Sequence, residues 1–160
     1  MLFLGIDPGF DRLGFGVIRK KLASFEYIES GVISSSRNKQ IGERLLELEA
    51  PLMRLLEKYE FESVALEEVF FRKNLTTGVR LIEARGMIMI TLARFQINPI
   101  QVAPTSLKKM VTGNGRAEKK QMQLVIKKLL KLDSLPKPDD AADGIGLALY
   151  AAIANQGAIK

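Results

Sequence analysis

The chain has neither cysteine nor histidine. Without cysteine there are no disulfides and no thiolate metal sites, a composition that fits a cytosolic protein. Without histidine, the side chain that titrates near neutral pH is missing, so metal or acid–base chemistry falls to carboxylates, lysines or tyrosines. Long apolar runs are missing too. No stretch approaches the ~20 residues that span a bilayer. The apolar run at the N-terminus has no basic residues ahead of it and is interrupted at Asp7, so no secretory signal is visible. A cytoplasmic protein with no membrane contact is expected.

What remains is a chain of 160 residues, 47% hydrophobic and 26% charged, expected to form one globular domain over residues 1–160. Its net charge of +6 is unevenly placed. Between Gln101 and Pro138, eight lysines and Arg116 stand against Glu118 and Asp133, a balance of +7, so the other residues sum to −1. Charge concentrated this way points to a polyanionic partner, although a solvated basic face would have the same composition.

Leu2-Phe3-Leu4-Gly5-Ile6 is a short apolar run without polar alternation, suited to a strand covered on both faces. It ends in Asp7-Pro8-Gly9, and Leu13 to Ile18 forms a second strand. Phe25 to Ser34 is a third, so the chain opens as a meander. An amphipathic helix follows from about Lys39 to Tyr59, with Pro51 expected to kink it. Ser63-Val64-Ala65-Leu66 is another buried strand and ends in Glu67-Glu68. Beyond an aromatic and basic turn, a helix capped by Asn74 or Thr76 reaches about Phe95. It carries two apolar faces. Leu81, Ala84, Ile88 and Leu92 line one; Val79, Ile82, Met89 and Ile90 line the other. Such a helix is either deeply buried or placed at a subunit interface. Thr91 falls in its polar strip. A last strand at Pro99 to Val102 precedes a short helix from Pro104, broken by Gly113-Asn114-Gly115. Ala117 to Leu132 is helical, with Met122, Ile126 and Leu129 inward. The final helix runs from Asp139 to about Asn155.

Three elements therefore end or begin in acid: Asp7, Glu67 with Glu68, and Asp140 with Asp143. Each has a plain structural reading. Asp-Pro-Gly is turn chemistry, and acids in a first helical turn complement its dipole. Together, beside a basic segment, they suit hard divalent cations, which take oxygen ligands. A carboxylate set without histidine or cysteine fits Mg²⁺ or Mn²⁺ and argues against zinc.

Four blocks in order now matter: Gly5-Ile6-Asp7-Pro8-Gly9, Leu66-Glu67-Glu68-Val69-Phe70, Gly113-Asn114-Gly115-Arg116-Ala117-Glu118-Lys119 and Asp140-Ala141-Ala142-Asp143. They resemble the RuvC-type Holliday-junction resolvases across nearly the whole chain. The resemblance implies an α/β, ribonuclease H-like fold, with a five-stranded mixed sheet of order 3-2-1-4-5 flanked by helices. It implies a homodimeric endodeoxyribonuclease that makes paired symmetric nicks in four-way junction DNA. Two Mg²⁺ per site are implied, with Mn²⁺ as a substitute, and a branch-migration helicase complex as partner. By position, the catalytic and metal-binding acids would be Asp7, Glu67, Asp140 and Asp143. Lys108 and Lys119 match positions that approach DNA phosphates, and Phe70 matches an aromatic that stacks at the opened junction. Lys109, Arg116 and Lys120 cluster around the same glycine loop and complete the expected DNA-contact set.

The chain also departs from the family pattern. Glu68 stands where relatives often carry glutamine, which leaves Glu67 and Glu68 as rivals. Asp139 makes an alternative i, i+4 pair with Asp143. Gly144 and Gly146 replace alanines and are expected to weaken the last helix by ~0.5–1 kcal/mol each. Three other readings remain open at this point. They are a related nuclease acting on ribosomal RNA precursor, a junction-binding module without catalysis, and an ATPase of the sugar-kinase type. The last needs two such domains.

Overall fold

The computed structural model describes residues 1–69 and 75–155, with only the backbone for residues 75–77. The opening meander is β1 (Leu2–Asp7), β2 (Arg12–Lys20) and β3 (Phe25–Ser34). β1 and β2 are antiparallel, with Leu4 opposite Val17 and Asp7 opposite Gly14, and β3 pairs with the far edge of β2. After α1 (Ile41–Lys58), β4 (Phe61–Glu67) lies parallel to β1. After α2 (Leu75–Arg94), β5 (Ile100–Val102) lies parallel to β4. The sheet order is β3-β2-β1-β4-β5, the mixed five-stranded order expected. Then come α3 (Pro104–Thr112), α4 (Lys119–Leu130) and α5 (Asp139–Ala154).

Successive strand side chains point to opposite faces, and the sheet uses both. Leu4, Ile6 and Leu66 pack with Leu48 and Leu52 of α1 and Ala84, Ile88 and Leu92 of α2. Phe3, Ile18 and Ala65 pack on the other face, against Leu107, Ile126 and Leu147 of α3, α4 and α5. Asp7 is in phase with Phe3, and Glu67 with Ala65. Both carboxylates therefore emerge toward α5.

α5 lies close against β1 and β2. A Cβ on Gly14 would overlap the carbonyl of Asp140. One on Gly144 would fall 2.6 Å from Phe15 Cα and 2.7 Å from the Gly16 nitrogen, closer than side chains pack. The expectation that Gly144 only weakens α5 is thus corrected: its missing side chain lets the helix backbone rest on the sheet. Gly146 differs. Its nearest neighbour would be Ile126 Cδ1 at 3.5 Å, ordinary contact, so there the propensity cost stands.

Other expectations shift locally. α1 continues through Pro51. α4 is shorter than the periodic pattern, because Glu118 is extended and Lys131 is left-handed at φ 52°. Leu129 is partly exposed, and Gln123 is buried in its stead, donating from Nε2 to Asp139 Oδ1 at 3.0 Å. Thr91 is buried rather than part of a polar strip. Its hydroxyl donates to the Met87 carbonyl at 2.9 Å and lies 3.1 Å from Glu49 Oε1, so the helix satisfies the group internally. The second apolar face of α2 is open to solvent: Val79 is 52% exposed, Ile82 51% and Ile90 60%.

Candidate active site

Strand ends and one helix start bring four acids into a single neighbourhood. Asp7 closes β1, Glu67 closes the adjacent parallel β4, and Asp140 and Asp143 lie in the first two turns of α5. Asp7 and Glu67 share a hydrogen bond, and the charges of Asp143 and Asp140 both reach Asp7. Asp140 pairs with Arg12 at 2.5 Å, and Asp143 with Lys119 at 2.8 Å. Among the described residues, no three acidic side chains are gathered tightly enough to hold one ion between them. As the side chains stand, Arg12 and Lys119 occupy the α5 acids.

The electrostatics reflect like charges taken out of water. Burial first, then Glu67 beside it, pushes Asp7 from 3.8 up to about 9. Burial also raises Glu67, with the Asp143 charge adding to it and Lys119 and Lys108 opposing. Asp143 is raised by burial against the hydrogen bond from Lys119. Burial is also the largest influence on Lys119 and opposes its charge, but the acids Asp143, Asp139 and Asp140 raise it overall. An oxygen-only, half-buried acid set whose innermost member burial and neighbouring acids push well above the usual carboxylate range fits a hard divalent cation in donor chemistry.

The rivals separate by direction. The Glu68 N–H donates to the Val102 carbonyl at 2.9 Å, so strand pairing continues one residue past β4. Alternation then turns Glu68 away from the α5 face. Asp139 binds Gln123 and lies 3.6 Å from Lys119, on the α4 side.

Of the expected DNA contacts, Lys108 is near enough for its charge to act on Glu67, and Lys119 is within the acid cluster. Lys109, Arg116 and Lys120 are exposed around the glycine turn, where the Arg116 N–H donates to Asn114 Oδ1 at 2.9 Å. Phe70 lies outside the described residues, as does the Asn74 cap. Arg12 was missed from the sequence. Its signal is phase: it alternates with Gly14, Gly16 and Ile18, which all face α5. Sequence reading also missed a cavity of about 780 Å³ beside the acids, lined by Asp7, Asp140, Arg12, Arg37, Arg44 and Arg80.

A mixed sheet in this order, with carboxylates closing the first strand and its parallel neighbour and a third acidic pair on the last helix, defines a nuclease of the ribonuclease H-like class. Comparison with known proteins narrows the class. The family model described as "Crossover junction endodeoxyribonuclease RuvC" matches residues 3–151. The chain belongs to the RuvC family. A crossover junction endodeoxyribonuclease RuvC from Petrotoga mobilis is 43% identical over 148 residues, covering 92% of this chain and 91% of that protein. The enzyme of the same name from Pseudothermotoga lettingae is 40% identical over 148 residues, with the same coverage of 92% and 91%. In three dimensions, the chain is similar to T. thermophilus RuvC in complex with Holliday junction substrate. That match has a TM-score of 0.92 at 28% identity, over 98% of this chain and 96% of the other.

Proposed function

We propose that this chain is a divalent-metal-dependent endodeoxyribonuclease that resolves four-way DNA junctions by paired symmetric nicks. One observation carries the reading: acids from β1, β4 and α5 meet on one face of the sheet, flanked by Lys119 and Lys108. Family membership supports it, since relatives over most of the chain bear the name crossover junction endodeoxyribonuclease.

Asp7, Glu67, Asp140 and Asp143 are the catalytic acids in this reading, and they would hold two Mg²⁺, with Mn²⁺ as a substitute. When bound, divalent cations supply the Lewis acidity that activates water and neutralises charge building on the attacked phosphate. The chain's own residues prepare that step. Asp7 and Glu67 form the inner pair, on adjacent parallel strands that packing holds rigid. Arg12 and Lys119 neutralise the α5 acids in the free protein and can exchange those partners for phosphate oxygens once DNA arrives. Lys119 then adds positive charge where negative charge develops.

A junction presents two equivalent strands, which a two-fold dimer meets with two sites. The exposed Val79, Ile82 and Ile90 on α2, with Met89 partly buried among them, support that contact. The remaining assignments belong to the same reading: one nuclease domain over residues 1–160, at work in the cytoplasm with a branch-migration helicase complex. Phe70 stacks at the opened junction, and Lys108, Lys109, Arg116, Lys119 and Lys120 follow its phosphates.

The test is incubation of the protein with a labelled synthetic junction, a plain duplex and a structured RNA in Mg²⁺. Symmetric nicks confined to the junction are expected. Asp7→Asn, Glu67→Gln, Asp140→Asn and Asp143→Asn should each abolish nicking while leaving binding intact, with Glu68→Gln active. Cleavage of the RNA at an equal rate would overturn the assignment of substrate.

A further inference from the structure

Of the cavity beside the acids, the mechanism above uses only Asp7, Asp140 and Arg12, yet the rest of its lining is chemically specific. It opens between the β1–β2 turn, the end of β3, α1 and α2, and shares Asp7 and Asp140 with the active site. Four arginines line it, against Asp7, Asp11 and Asp140.

The arginines are arranged rather than scattered. The ring of Phe10, itself buried, carries the Arg44 guanidinium at 4.2 Å and that of Arg80 at 5.7 Å. Arg44 is 12% exposed and fixed further by Asp11 at 2.5 Å and Ser35 Oγ at 2.9 Å. A planar fork held this way loses little freedom on binding a second acceptor, and the guanidinium fork matches phosphate oxygens. Arg37 sits at the mouth, 80% exposed, paired with the other Asp11 oxygen at 2.9 Å. Exposed pairs of that kind are weak and open to exchange.

Sheet order places Arg12, at one end of this group, across the acids from Lys108. Arg12 starts β2, on one side of β1, whereas Glu67 and α3 with Lys108 lie on the β4–β5 side. A strand centred on Asp7 that touches Lys108 on one side must leave on the other. We infer that the arginine cavity binds a phosphodiester of the DNA strand running through the active site, a second backbone contact on the side opposite Lys108. This rests on the junction-cleavage reading.

The experiment measures junction binding by the full chain in EDTA over about 50 to 300 mM salt, where each lost duplex phosphate contact lowers the slope of log affinity against log salt by about 0.9. Arg37→Ala and Arg80→Ala should each weaken binding and flatten the slope by about that amount, or twice it in a symmetric dimer. Arg37→Lys should keep the slope, and Lys131→Ala, on the far side of α4, should leave it unchanged. Arg37→Ala removes one exposed ion pair, so its fold, followed by circular dichroism, should be intact. Neutral methylphosphonates are then placed singly along the cleaved strand. At one position the substitution should weaken wild-type binding but not binding by Arg37→Ala. Unchanged slopes in both alanine variants, or no such position, would overturn the inference. Nicking by the wild type in Mg²⁺ reads the parent activity separately, so the two can fail independently.

Discussion

Replacing Asp7 by asparagine should stabilise the metal-free protein, and the size of the effect follows from the site. In the folded chain Asp7 holds its proton to about 9, against an ordinary 3.8. The folded state therefore binds a proton that the unfolded state has released, and stability falls as pH rises from about 4 through 9. At pH 7, about three units above the ordinary value, that linkage costs at most ~4 kcal/mol at 1.36 kcal/mol per unit. Asp7 shares its hydrogen bond with Glu67, which carries part of this cost, so Asp7→Asn should gain about 2–4 kcal/mol. For a chain of this size that corresponds to a melting temperature higher by roughly 5–12 °C. The assay is thermal unfolding of both proteins in EDTA at pH 5, 7 and 9. The gap between them should widen with pH, as the wild type loses stability and the variant does not. Adding Mg²⁺ should close the gap by stabilising the wild type, because a ligand that binds only the folded state shifts the equilibrium toward it. Parallel pH curves in EDTA, or equal stabilisation of the variant by Mg²⁺, would refute the reasoning.

Other consequences can be checked as directly. Gly146→Ala should stabilise by about 0.5–1 kcal/mol, since a methyl there meets only ordinary contacts, whereas Gly144→Ala should cost ~3 kcal/mol or more because it drives α5 off β2; denaturant melts distinguish the two. Charged substitutions at Ile82 and Met89 should yield monomers by sedimentation, together with unpaired or absent nicks. Lys108→Ala and Lys119→Ala should each flatten the salt dependence of junction binding by about 0.9 per lost contact. Lys119→Ala should also slow single-turnover cleavage at saturating protein, which a purely binding role would not do.

Much of the molecule was legible from local pattern. Apolar runs and 3.6-residue periodicity marked most of the strands and α1, α2 and α4, because burial of one face imposes its period on the sequence whatever it packs against. α3 and α5 were marked by end signals, Pro104 with the glycine turn and Pro138 with the acids after it. The acidic blocks at Asp7, Glu67 and Asp140 to Asp143 were visible by residue type and spacing, and so was the basic segment. What sequence left open depends on direction and distance between remote segments. Glu67 and Glu68 are equivalent in composition; only the position of the two cores on either side of the sheet says that Glu67 shares the α5 face with Asp7. The glycine at 144 reads as a weak point in a helix until β2 is seen to lie against it. Thr91 looks solvent-facing until Glu49, 42 positions earlier, arrives beside it. Arg12, Arg37, Arg44 and Arg80 carry no shared pattern along the chain, and they line one cavity only because the β1–β2 turn, α1 and α2 converge there. Periodicity records how each segment meets apolar surroundings. Charge pairing and close backbone approach are set by neighbours far away in sequence, so only the folded chain decides them.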